Sequence, residues 1–152
     1  MKTEFCYDSL LDDLRAAYFD ARKRKRNRSY QIRFESRLEE NLLDLCNDLW
    51  WRTYKARPSE CFIVTEPKKR EVFAADFRDR IVHHLYCNYV YDRFVRYFIA
   101  DSYSCIKGRG TIYGIHRLEH HIRSESLDYT RPCYVLKLDI RGYFMHIDRN
   151  RL

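Results

Sequence analysis

Apolar side chains recur at helical spacing over residues 8–26. Leu10, Leu11, Leu14, Ala17, Tyr18 and Ala21 predict one amphipathic helix, with Asp8 placed to cap it. Leu38, Leu42, Leu45, Cys46 and Leu49 form a second apolar stripe and predict a helical stretch over residues 30–54. Trp50 and Trp51 adjoin that stripe and are expected as core anchors. The period then changes. Residues 61–65 and 72–75 are β-rich, and Glu66-Pro67-Lys68-Lys69-Arg70 lies between them, which predicts a hairpin with a basic tip. Asp76 is placed to cap a helix over residues 77–98, with Ile81, Val82, Leu85, Tyr89, Val90 and Phe94 on a broad buried face.

Residues 101–111 are polar and glycine-bearing. A short helix follows, with Ile115, Leu118 and Ile122 expected inward, and then a loop over residues 124–131. The apolar run Tyr134-Val135-Leu136-Lys137-Leu138 stops at Asp139, which predicts a buried strand delivering one carboxylate to a sheet's end. Asp148 is placed to cap a helix that begins at Arg149.

Composition narrows the function classes. The chain has 152 residues, enough for a real core, and its 45% hydrophobic content excludes a disordered tail. With 29 basic against 22 acidic residues, the net charge of +7 favours a polyanionic partner, nucleic acid first. The basic residues do not gather on one amphipathic helix, and no apolar run approaches membrane-spanning length, so no membrane partner is expected. The six cysteines form no C-x-x-C pair, which reads as reduced thiols in a cytoplasmic protein.

Five stretches carry candidate chemistry. Arg22, Lys23, Arg24, Lys25, Arg26 and Arg28 form a like-charge block, either a solvated helix end or a phosphate-binding arm. Lys68, Lys69 and Arg70 at a hairpin tip read as a charged turn or as a clamp for a triphosphate. Arg78 and Arg80 lie in a helix's first turn, where the dipole disfavours cations; a functional anion or a buried ion pair accounts for them equally well. Gly108 and Gly110 flank Arg109, so backbone N–H groups there can approach an anion closely. Asp139, with Phe144 just past Gly142, suits a magnesium ion beside a sugar-phosphate. His83, His84 and Cys87, and likewise His116, His120 and His121, have helical spacing but neither a C-x-x-C pair nor an H-E-x-x-H core, and are expected to pack rather than bind metal.

The order of these motifs resembles the N-terminal half of a bacterial or phage reverse transcriptase, in the diversity-generating-retroelement and group-II-intron-like set. The resemblance runs from about residue 30 to the end. It is carried by the basic hairpin, by Phe77-Arg78-Asp79-Arg80-Ile81-Val82-His83-His84, by Ser102-Tyr103-Ser104-Cys105-Ile106-Lys107-Gly108-Arg109-Gly110-Thr111, and by Leu136-Lys137-Leu138-Asp139-Ile140-Arg141-Gly142-Tyr143-Phe144.

The resemblance implies an α+β, right-hand polymerase fold. Residues 1–29 would be a helical N-terminal extension with a basic arm, 30–131 the fingers, and 132–152 an incomplete start of the palm. Asp139 would be the first catalytic aspartate. It would share two Mg2+ (or Mn2+) ions with the carbonyl of Ile140 and with aspartates beyond these motifs. Phe144 would lie against the incoming sugar and exclude a 2′-hydroxyl. Lys68, Lys69 and Arg70 would reach the triphosphate, and Arg78, Lys107 and Arg109 would lie near template or nucleotide. The partners implied are an RNA template, a DNA primer and deoxynucleoside triphosphates.

The family's second catalytic element, an aromatic-x-Asp-Asp hairpin, does not occur in these 152 residues. The chain is therefore expected to be truncated and inactive alone. Two other readings fit the same residues: a non-catalytic RNA-binding protein with polymerase-like fingers, and a defence-type polymerase of the same fold. A pure binder has no need of Asp139 or Phe144.

Overall fold

The computed structural model describes residues 6–23, 28–143 and 146–151. They form a small α+β protein, with five helices and a two-stranded antiparallel sheet. Contacts divide the chain into two units, Met1–Tyr97 and Phe98–Leu152.

In the first unit, α1 spans Tyr7–Arg22. It starts one residue before the expected cap, because Cys6 and Ser9 bond reciprocally there: the Cys6 N–H donates to Ser9 Oγ at 3.0 Å, and that hydroxyl donates to the Cys6 carbonyl at 2.8 Å. Asp8 lies inside the first turn instead, where the helix dipole favours its charge. Leu10, Leu14, Ala17, Tyr18 and Ala21 are buried as one face and belong to the core of this unit.

The stretch expected as one helix over 30–54 is two, α2 (Ser29–Glu35) and α3 (Leu38–Trp50). The break has a local cause. The Ser36 hydroxyl donates to the Arg33 carbonyl at 2.9 Å, and Asn41 Nδ2 donates to the Phe34 carbonyl at 2.9 Å. Side chains thereby take acceptors that a continuing helix would use. Leu42, Leu45 and Cys46 are buried, with Leu38, Leu49 and Trp50 packed beside them. Trp51, expected as a second anchor, is 71% exposed, because the helix ends before it and Arg52 turns the chain at φ 59°.

The hairpin pairs β1 (Glu60–Val64) with β2 (Arg70–Ala74), Val64 opposite Arg70 and Phe62 opposite Val72. Asp76 caps α4 (Phe77–Val95) as expected, its carboxylate accepting from the Arg78 N–H at 2.9 Å. Phe77, Ile81 and Leu85 close the core against α1 and α2. The buried face expected along α4 fades after Leu85. Tyr89 is about half exposed and its hydroxyl donates to Asp13 at 2.6 Å, and Phe94 is exposed.

In the second unit, α5 spans Thr111–Ser126. Ile115 and Leu118, expected inward, are exposed, since no other described helix of this unit offers them a face. Asp101 accepts from Arg117 Nε at 2.7 Å and pairs with His121 Nε2 at 2.8 Å. Asp148 caps a short turn at Arg149–Arg151, accepting from the Asn150 N–H at 3.0 Å.

The strand expected over residues 134–138 does not form. Residues 132–140 carry no ladder, and Tyr134, Leu136 and Leu138 are open to solvent. Strand geometry persists only when a neighbour takes its N–H and C=O groups, and among the described residues the one sheet is the β1–β2 hairpin.

Candidate nucleic-acid interface

Lys68, Lys69 and Arg70 sit at the free end of the hairpin, all exposed. Arg70 is held by the ladder opposite Val64, while Lys68 and Lys69 occupy the connecting loop. None of the three side chains has an ion-pair or hydrogen-bond partner among the described residues, so their charge faces solvent undiminished. Cross-strand register places Phe62 on the same face as Arg70 and Phe73 on the opposite face, and both rings are about half exposed or more, at 49% and 62%. An exposed ring beside an unpaired cation is the arrangement that holds single-stranded nucleic acid, by stacking and phosphate contact together. Sequence reading treated Phe62 and Phe73 only as strand formers. Among the described residues no helix makes more than slight contact with the hairpin.

The other predicted cations divide. Arg22 donates to Glu35 at 2.6 Å, and Lys23 to Asp20 at 2.6 Å, so both serve the fold. Arg28 precedes α2 and is exposed. Arg24, Lys25 and Arg26 lie outside the described residues. Arg78 is buried: its guanidinium pairs with Asp48, lies 3.8 Å from Asp79, and covers the Tyr54 ring at 5.2 Å. Of the two explanations for a cation in that first turn, the buried ion pair is the one present here. Arg80 likewise turns to the Ala75 carbonyl and the face of Tyr30. In the second unit, Arg109 donates to the Ala100 carbonyl at 2.8 Å and lies over Tyr113, which pins its loop. Lys107 is exposed on the same turn, where Gly108 has φ +77°.

Asp139 and Ile140 are both exposed, and Asp139 has no ion-pair partner among the described residues. Phe144 lies outside them. A carboxylate and a neighbouring carbonyl are oxygen donors of the kind magnesium takes. They do not amount to a two-ion site, and no group of three or more His, Cys, Asp or Glu comes together among the described residues.

Sequence reading also passed over a cleft of about 370 Å³ in the first unit, lined in part by Tyr30, Arg33, Arg37, Asn41, Arg57 and Asp76. Arg57 faces Asp76 at 3.6 Å and Arg37 pairs with Glu40, while the Arg33 guanidinium has no ion-pair or hydrogen-bond partner among the described residues. These arginines come from three segments, so no local motif announces them.

No protein-family model matches the sequence, and no curated protein is significantly similar to it. No helix among the described residues is long and apolar enough to cross a membrane.

Proposed function

We propose that this chain carries the fingers and the first palm carboxylate of an RNA-directed DNA polymerase, which adds deoxynucleotides to a DNA 3′-hydroxyl. The observation that carries the reading is the order of four motifs: the basic hairpin, Phe77–His84, Ser102–Thr111, and Leu136–Phe144 with Asp139 inside it. The free cations of Lys68, Lys69 and Arg70 support it, because a triphosphate or template phosphate needs donors not already spent within the protein. The solvent-facing, unpaired carboxylate of Asp139 supports it too, since a carboxylate buried in apolar surroundings or locked to an arginine could not serve a reaction centre.

Within these 152 residues the chain is a binder. One carboxylate does not supply the charge stabilisation that phosphoryl transfer demands, so the isolated chain extends no primer. It holds RNA through phosphate contacts, and that affinity falls steeply with added salt. The non-catalytic reading shares these properties and is favoured where they are the whole of the activity. Reading the DNA that follows codon 152 separates the two. A downstream aromatic-x-Asp-Asp, in frame or one frameshift away, supports the enzyme, and its absence supports the binder.

A further inference from the structure

The segment after α5 alternates in character. Tyr134, Leu136, Leu138 and Ile140 are apolar, and Val135, Lys137, Asp139 and Arg141 between them are mostly charged. Drawn out as a strand, such a sequence has one apolar face and one polar face. The apolar set is open to solvent here, at 97%, 80%, 81% and 68% exposure in chain order. Backbone groups along the run have no ladder partner among the described residues. An exposed apolar strand with free edges pairs with whatever matches its register.

We propose that the match is a second copy of this chain, with residues 135–141 of each copy paired antiparallel about a twofold axis at Leu138. This does not rest on the polymerase reading, and the two states exclude each other: an Asp139 paired with Lys137 of a second copy holds no metal ion. The register follows from charge. Centred on Leu138, Lys137 of each copy stands opposite Asp139 of the other, and Leu136 stands opposite Ile140. Centring on Lys137 sets that ammonium against itself. Centring on Asp139 sets carboxylate against carboxylate and Lys137 against Arg141. Centring on Leu136 brings Arg141 opposite Arg131. Centring on Ile140 puts Gly142, whose φ of +64° turns the chain away, opposite Leu138. An axis between residues faces apolar side chains with charged ones. Only the Leu138 register joins opposite charges twice while keeping the apolar pairs together, and cross-strand pairs of this kind select strand partners.

The test is a charge swap read by sedimentation equilibrium under reducing conditions, so that the six cysteines form no disulfide-linked dimer. Four proteins are compared: wild type, K137D, D139K and the double variant K137D/D139K. Both side chains are exposed, and circular dichroism verifies that each variant keeps its helices. The expected result is dimer for wild type and for the double variant, with each single variant at least about tenfold weaker in self-association. A wild type that stays monomeric across the concentration series overturns the proposal. So does self-association of equal strength in all four proteins, which would show that Lys137 does not meet Asp139.

Discussion

Glu35 holds the first two helices, α1 and α2, to one another, and acid should release them. One of its carboxylate oxygens accepts from Arg22 Nε at 2.6 Å, from Gln31 Nε2 at 2.7 Å and from the Tyr18 hydroxyl at 2.7 Å. Tyr18 and Arg22 belong to α1, while Gln31 and Glu35 belong to α2. The Arg22 bond, followed by that of Gln31, lowers the Glu35 pKa from 4.5 to about 2. At about 1.4 kcal/mol for each tenfold change in proton affinity, the ceiling on this linkage is about 3 kcal/mol. The side chain is 24% exposed, and solvent screening reduces the figure to about 1–2 kcal/mol. A carboxylate with a depressed folded-state pKa contributes fully above about pH 4.5 and loses that contribution as pH falls through about 2. The assay is urea unfolding of wild type and Glu35→Gln at a series of pH values. The variant should be less stable by about 1–2 kcal/mol at neutral pH, and the gap should close below about pH 4. Other carboxylates titrate in both proteins and cancel in the difference. A gap that is absent at neutral pH, or one that persists unchanged into acid, would refute the reasoning.

Two further outcomes follow from the structure. Asp79→Ala should destabilise the first unit by about 3–5 kcal/mol, since the nearly buried Arg78 loses a counter-charge and the Tyr54 hydroxyl and Arg57 N–H lose their acceptor; thermal unfolding measures it, and a loss below about 1 kcal/mol would contradict the burial. Replacing Lys68, Lys69 and Arg70 together by alanine should weaken RNA binding and flatten its dependence on salt, lowering the slope of log affinity against log salt by about 2 as three phosphate contacts vanish. Fluorescence anisotropy with a single-stranded RNA reads both quantities, and an unchanged slope would remove the hairpin tip from the interface.

Much of the first unit was legible in the pattern of residues, because its signals are local. The spacing of Leu10, Leu14, Ala17 and Ala21 marks the buried face of α1, and the hairpin lies within two residues of its expected bounds. Asp76 caps the helix it was expected to cap. What escaped depends on distant partners. Nothing local in Arg78 states that Asp48, thirty residues earlier, waits for it. The break between α2 and α3 turns on two side chains, Ser36 and Asn41, competing for backbone carbonyls. Residues 134–138 read as a buried strand because their apolar run is a local signal, whereas a strand's neighbour is not written in the strand. The hairpin cations and Asp139 are legible in the sequence; that the side chains of the former have no ion-pair or hydrogen-bond partner among the described residues is information only three dimensions supply.

The central claim is tested most directly by primer extension on an RNA template with deoxynucleoside triphosphates, comparing three proteins side by side. They are the 152-residue chain, a longer product that joins it to a palm segment carrying an aromatic-x-Asp-Asp hairpin, and that longer product carrying Asp139→Asn. The account predicts DNA from the longer product alone. DNA made by the 152-residue chain or by the Asp139→Asn protein, or none made by the longer product, would contradict it.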